Sequence, residues 1–439
     1  MSGKKFIAVL AATSTLALTL TGCGNSAGTS KDTDSADSSK PITLTVWTGN
    51  TTPTKAAAKL FEQTHKNVTI KVETVTDSYN ALDNAIQANS GVPDVMEFEY
   101  VTVPYFAIQN KLEDLSKYGA SNDDHTFVDG AWTDVSFNGK PYAIPMDYGP
   151  TVMFYNEATF KKAGIDHAPA TWDEYYEDAK KIHALGDKYY IVNEEGDIFT
   201  LLSMIWQAGG RPFKVEGEKI KVNLNDEGTK KAIAFYQKLN QEGLVGQNIK
   251  TWSDDWNRAL NDGTVATQII GGWLTSSITG RAPEQSGNFR VAPMPQWKAG
   301  EDVSAETGGS GFAIPQKAEH KKMAWEFLKF LAYDEKGVQA RVDAGVFPPN
   351  TKVLKDSKFL DYTDKYFGDQ KFREVIAQAA DHVGEGWQYL PYMTKARDLY
   401  TDNIDYSKVV KGGSLFDQMN DWAKKVIAYG NEQGFSVSQ

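Results

Sequence analysis

The stretch that decides the fold is residues 41–99, PITLTVWTGNTTPTKAAAKLFEQTHKNVTIKVETVTDSYNALDNAIQANSGVPDVMEFE. Ile42, Leu44 and Val46 alternate with polar neighbours, as on a strand with one buried face, and run into the turn Thr48-Gly49-Asn50. From about 54 to 66, Ala57, Ala58, Leu60 and Phe61 supply the apolar stripe of a helix, and Val68, Ile70 and Val72 then alternate again. A second helix is predicted over roughly 79–90, closed by Gly91-Val92-Pro93, and residues 94–98 read as a third short strand. Strand–helix–strand–helix–strand implies right-handed crossovers and a mainly parallel sheet. Ligands of such sheets bind beyond the carboxyl ends of the strands. Trp47, Asn50, Glu97 and Glu99 therefore fall at the edge where a site would form.

Further along, the chain is again α/β but richer in helix. Thr171-Trp172-Asp173-Glu174 is a capping box that opens a helix to about Leu185. Helices are predicted over 226–241 and 254–262, and Thr264 to Ile270 reads as a strand delivering Gly271-Gly272-Trp273 at its carboxyl end. Residues 318–333 form an amphipathic helix with Met323, Phe327, Phe330 and Leu331 on its buried face. Phe347-Pro348-Pro349-Asn350 breaks the pattern, and the tail beyond is helical. A chain of 439 residues is long enough for two domains, and it shows no solenoid repeat.

The amino-terminal segment has a different chemistry. Lys4 and Lys5 precede an apolar run from Phe6 to Leu20, which ends in Thr21-Gly22-Cys23. That run is shorter than the roughly 20 apolar residues of a spanning helix and is flanked as a secretory signal. It resembles the bacterial lipobox, in which the cysteine becomes the first mature residue and carries a diacylglycerol. Residues 24–40 lack large apolar groups and are expected to be a disordered tether. Cys23 is the sole cysteine, so no internal disulfide is available to the exported fold. The formal charge of −11 argues against nucleic acid and against docking on an anionic lipid surface.

The segment PMDYGPTVMFYNEATFKK at 145–162 resembles the signature of family 1 extracellular solute-binding proteins, the sugar-binding proteins of ABC importers, which include maltose-binding protein. Leu44-Thr45-Val46-Trp47, Pro93-Asp94-Val95, Ala163-Gly164-Ile165 with Thr171-Trp172-Asp173-Glu174, and Gly311-Phe312-Ala313-Ile314-Pro315 resemble the same family in the same order. The similarity covers most of 42–350. It implies a two-lobed α/β fold of the type II periplasmic-binding-protein kind, with a ligand cleft between lobes joined by hinge segments. By that analogy the chain crosses near 147–152 and returns near 306–312. Residues 41–149 with 309–351 would build the first lobe, and 150–308 with 352–439 the second.

Sugars present an apolar C–H face for stacking and hydroxyls that need fixed donors and acceptors. Trp273 is the leading platform, because Gly271 and Gly272 let the backbone turn at a strand end. Trp252 and Trp256 flank Asp254 and Asp255; the same residues also read as a helix start capped by Ser253, with Trp256 in the core. Asp147 and Tyr148 lie where the resemblance places a crossing segment. Trp206, Gly309 in Gly308-Gly309-Ser310-Gly311, Trp387 and Tyr392 complete the candidates.

Six scattered histidines form no metal motif, and neither a nucleophile elbow nor a Walker loop is present, so no cofactor or metal is expected. A secreted glycoside hydrolase built on a carboxylate pair is the competing reading. The expectation is a monomeric, lipid-anchored protein on the outer face of the cell membrane. It would capture an oligosaccharide, hand it to the permease of an ABC importer and catalyse no reaction.

Overall fold

The computed structural model describes residues 40–121, 125–194 and 196–439. The Cys23 lipobox and almost all of the tether lie outside the described residues. Two sheets organise the fold. In the first, Ile42–Trp47 pairs in parallel with Val68–Glu73 and with Val95–Glu99. The helices Thr51–Thr64 and Ser78–Ala88 make the crossovers, the former burying Ala57, Ala58 and Phe61. The sheet is mixed rather than mainly parallel. Ser310–Ala313 returns from far along the chain and lies antiparallel between Val95–Glu99 and Ala143–Pro145. A long-range strand insertion of this kind leaves no local periodicity from which to read it.

The second sheet is antiparallel, with Thr151–Asn156 between Thr267–Gly271 and Phe289–Pro293. Its residues point alternately into two cores. Val152, Phe154, Ile270, Phe289 and Val291 join the apolar cluster that continues into the first sheet. Met153, Ile269 and Ala292 pack instead with Tyr175, Ile205 and Trp422 in a second cluster. Burial on both faces explains why all five residues of Thr267–Gly271 are buried.

Local signals are expressed nearly where the residues imply. Thr171 Oγ1 accepts the Glu174 amide at 3.2 Å, and the Glu174 carboxylate reaches back to the Ala170 amide at 2.7 Å, one residue earlier than in the standard box. Ser253 caps Asp254–Asn261 by accepting the Trp256 amide at 3.1 Å. The chain passes between the sheets at 146–150 and again at 304–309, and these segments hold each other. The Thr307 amide donates to Gly149 O and the Thr151 amide to Ala305 O, each at 2.8 Å.

Candidate functional site

Between the two sheets lies a cavity of about 570 Å³, within the range of small-molecule sites. One wall belongs to the first sheet. Trp47 ends its strand there, and the loop 48–50 wraps the Glu97 carboxylate. Glu97 Oε2 accepts from Thr48 Oγ1 and from the Gly49 amide at 3.0 Å. Its Oε1 accepts from Asn50 Nδ2 at 2.6 Å and from Ser310 Oγ at 2.9 Å. Tyr79 stands behind, its hydroxyl accepting the Glu99 amide at 3.1 Å. Burial, then the Glu99 charge, push the Tyr79 phenol up to about 12.

The opposite wall is aromatic. Trp273 Nε1 donates to Thr307 O at 2.7 Å, which pins the indole against the returning segment. Glycine is required around it. A Cβ on Gly149 would meet Trp273 Cδ1 at 2.7 Å, and one on Gly271 would meet the same atom at 2.7 Å. Trp252 stacks on Trp273 with ring centroids 5.8 Å apart, and the Arg281 guanidinium lies 4.5 Å over Trp252. Trp252 is 48% exposed and has φ of 72°, a left-handed backbone that a bulky residue rarely adopts. Phe199, Thr251, Asp197 and Arg397 complete this wall. Desolvation raises the Glu99 and Asp197 carboxyls, and the Arg397 charge offsets only part of that rise.

The floor is formed by the crossing segments, with Asp147, Thr307, Gly308, Gly309 and Ser310. Gly309 has φ of 150°, and a Cβ there would strike the Tyr100 ring, so glycine lets this backbone reach the cavity. Asp147 is raised to about 6 by burial and by the Glu97 charge, against the Ser310 hydrogen bonds and Arg341. Beneath the floor Glu306 is fully buried, and burial together with Asp134 pushes its carboxyl well above the usual range.

Of the residues singled out from sequence, Trp47, Asn50, Glu97, Asp147, Trp252, Trp273 and Gly309 come together around this cavity. The others do not. Tyr148 is buried, its hydroxyl beside Gly130, where an added Cβ would sit 2.6 Å away. Trp256 is buried under Trp252 and donates its Nε1 to Gln268 Oε1 at 3.0 Å. Asp254 is exposed on the first turn of its helix. Trp206 and Trp387 stack on each other at 4.6 Å within the second core, and Tyr392 is buried against Tyr429 and Phe435. Reasoning from sequence missed Tyr79, Asp197, Phe199, Thr251, Arg397 and the Ser310 hydroxyl. Among the described residues no group of three or more His, Cys, Asp or Glu is arranged to hold a metal ion.

Comparison with known proteins bears on this architecture. The family model for "Bacterial extracellular solute-binding protein" matches residues 47–337. The ABC transporter associated binding protein from B. animalis subsp. lactis Bl-04, solved in complex with β-1,6-galactobiose, superposes with a TM-score of 0.81. It is 37% identical and covers 91% of this chain and 100% of that one. The arabinooligosaccharide-binding protein of Bacillus subtilis (strain 168) is 27% identical over 409 residues, 89% of this chain and 91% of its own. The diacetylchitobiose-binding protein of Streptomyces coelicolor is 25% identical over 347 residues, 77% of this chain and 80% of its own.

Proposed function

The chain belongs to the bacterial extracellular solute-binding protein family, and on that premise we propose that it captures a short neutral carbohydrate in the interlobe cleft for an ABC importer. The family is one of binding proteins, and the chain is not an enzyme. The observation that carries the proposal is the cavity of about 570 Å³ whose walls pair indole faces with fixed carboxylates and amides. Trp273 and Trp252 offer a sugar's apolar face a platform, while Asn50, Asp147 and the Gly309 backbone orient hydroxyls.

The lobe boundaries are proposed at 41–149 with 309–351, and 150–308 with 352–439. The insertion of Ser310–Ala313 into the first sheet supports this division. A ligand touching both walls favours the closed arrangement, because only that arrangement offers both sets of contacts. Cys23 would carry the lipid that holds the protein at the outer face of the membrane, where the loaded form meets the permease.

Calorimetry and tryptophan fluorescence with β-1,6-galactobiose, an arabino-oligosaccharide, diacetylchitobiose and a maltodextrin test the reading. Heat and a fluorescence change with at least one of them, without release of reducing sugar, are expected. No heat with any neutral oligosaccharide would refute it. Anchoring is tested separately: Cys23→Ala should move the protein from the membrane fraction to the medium.

A further inference from the structure

We infer that Asp147 holds the bound ligand as a neutral carboxylic acid, and that filling the cleft at neutral pH takes up a fraction of a proton. This rests on the cleft being the carbohydrate site proposed above. The Ser310 hydroxyl lies 2.9 Å from Glu97 Oε1 and 2.9 Å from Asp147 Oδ1. A hydroxyl has one hydrogen. It therefore donates to one of these oxygens and turns a lone pair toward the other. Two anions in that arrangement leave one contact repulsive, and a proton on one carboxyl makes both contacts favourable.

The geometry also says which carboxyl holds the proton. Glu97 is the better-solvated anion, with Thr48 Oγ1, the Gly49 amide and Asn50 Nδ2 all donating to it. Among the described residues, the Asp147 side chain has one donor that it does not share, the Ser310 amide, and the Ser310 hydroxyl is the contact it shares with Glu97. The groups facing Asp147 from other elements do not rescue the charge. The Arg341 guanidinium is the facing cation, but it donates to the Met146 and Leu331 carbonyls. The Tyr100 hydroxyl donates to the Asp147 backbone oxygen at 2.6 Å, and Glu306 adds a second buried acid nearby. The chain then runs Asp147 to Ser310 to Glu97, each donating to the next.

A neutral sugar displaces the water that hydrates the second charge and replaces it with dipoles only, so loading shifts Asp147 further toward its protonated form. Ser310 is thereby a positioning residue that acts through the two carboxyls.

Two measurements decide the matter. Without ligand, Asp147 is held near 6 against about 3.9 in an unfolded chain. The native state keeps a proton that the unfolded state releases, so this stability is complete below about pH 4 and is lost as pH rises through about 6. Asp147→Asn should flatten the fall of melting temperature over that window. An unchanged slope overturns the inference, whatever the cleft binds. With β-1,6-galactobiose, calorimetry of the wild-type protein at pH 7 in buffers of low and high ionisation enthalpy should read uptake of a fraction of one proton. Affinity should tighten as pH is lowered from 8 to 6, by at most about tenfold per unit. Binding with no uptake, or with release, overturns the inference. No heat at all removes that sugar from the proposed function, and the ligand-free slope then decides alone.

Discussion

The two walls of the cleft do opposite jobs. The first-sheet wall is a polar lattice: one carboxylate, Glu97, ties the loop 48–50 to the returning strand through four donors within 3.0 Å. The second-sheet wall is a cluster of indoles in which the exposed Trp252 stacks on the half-buried Trp273 and meets the buried Trp256 edge-on. Hydrogen bonds are directional and stacking is tolerant of ring identity. On the proposed reading, a bound sugar would be oriented by the first wall and given contact area by the second.

The largest expected effect lies at the buried base of this indole cluster. Trp256→Ala should cost about 3–5 kcal/mol of stability, the range for deleting a buried ring, read as a loss of melting temperature. A mild effect would mean that the aromatic wall does not rest on its buried member. Next in size, Glu97→Ala strands several donors at once and should cost roughly 3 kcal/mol, lowering stability and sugar affinity together. If affinity falls while the melting temperature holds, Glu97 contacts ligand directly and the lattice is not its main role. Trp273→Ala should separate the two properties, weakening affinity by about 2 kcal/mol, roughly thirtyfold in Kd, with a smaller effect on melting than Trp256→Ala.

The walls also differ in how far the sequence discloses them. Trp47, Asn50 and Glu97 could be placed because the alternation in 42–46 and the short strand read at 94–98 locate strand ends, and sites of α/β sheets lie at those ends. Trp273 is found by the same rule, helped by the two glycines before it. Arg397 could not be found: it sits on the helix Met393–Asn403, and which part of the molecule that helix meets is a tertiary fact with no local signal. Ser310 was visible only as a backbone in a glycine run, since its diagonal approach to Glu97 depends on the strand insertion. Trp387 misled for a related reason. The loop that carries it is held by Arg211, whose Nε donates to Glu385 O at 2.9 Å, and the ring stacks on Trp206.

The smallest effect is expected at the rim and has two components of opposite sign. Trp252 holds a left-handed backbone that costs a bulky side chain on the order of 1 kcal/mol, and glycine adopts it freely. Glycine forfeits in return the stacking on Trp273 and the Arg281 contact, each worth roughly 0.5–1 kcal/mol at an exposed position. Trp252→Gly should therefore leave the melting temperature within a degree or two of wild type. Sugar affinity should still fall about fivefold, because the outer platform has gone. Trp252→Ala keeps part of the strain and loses the same contacts, so it should melt below the glycine variant while binding equally weakly. If alanine instead melts above glycine, the left-handed backbone stores no strain, and the ring is held there by packing alone.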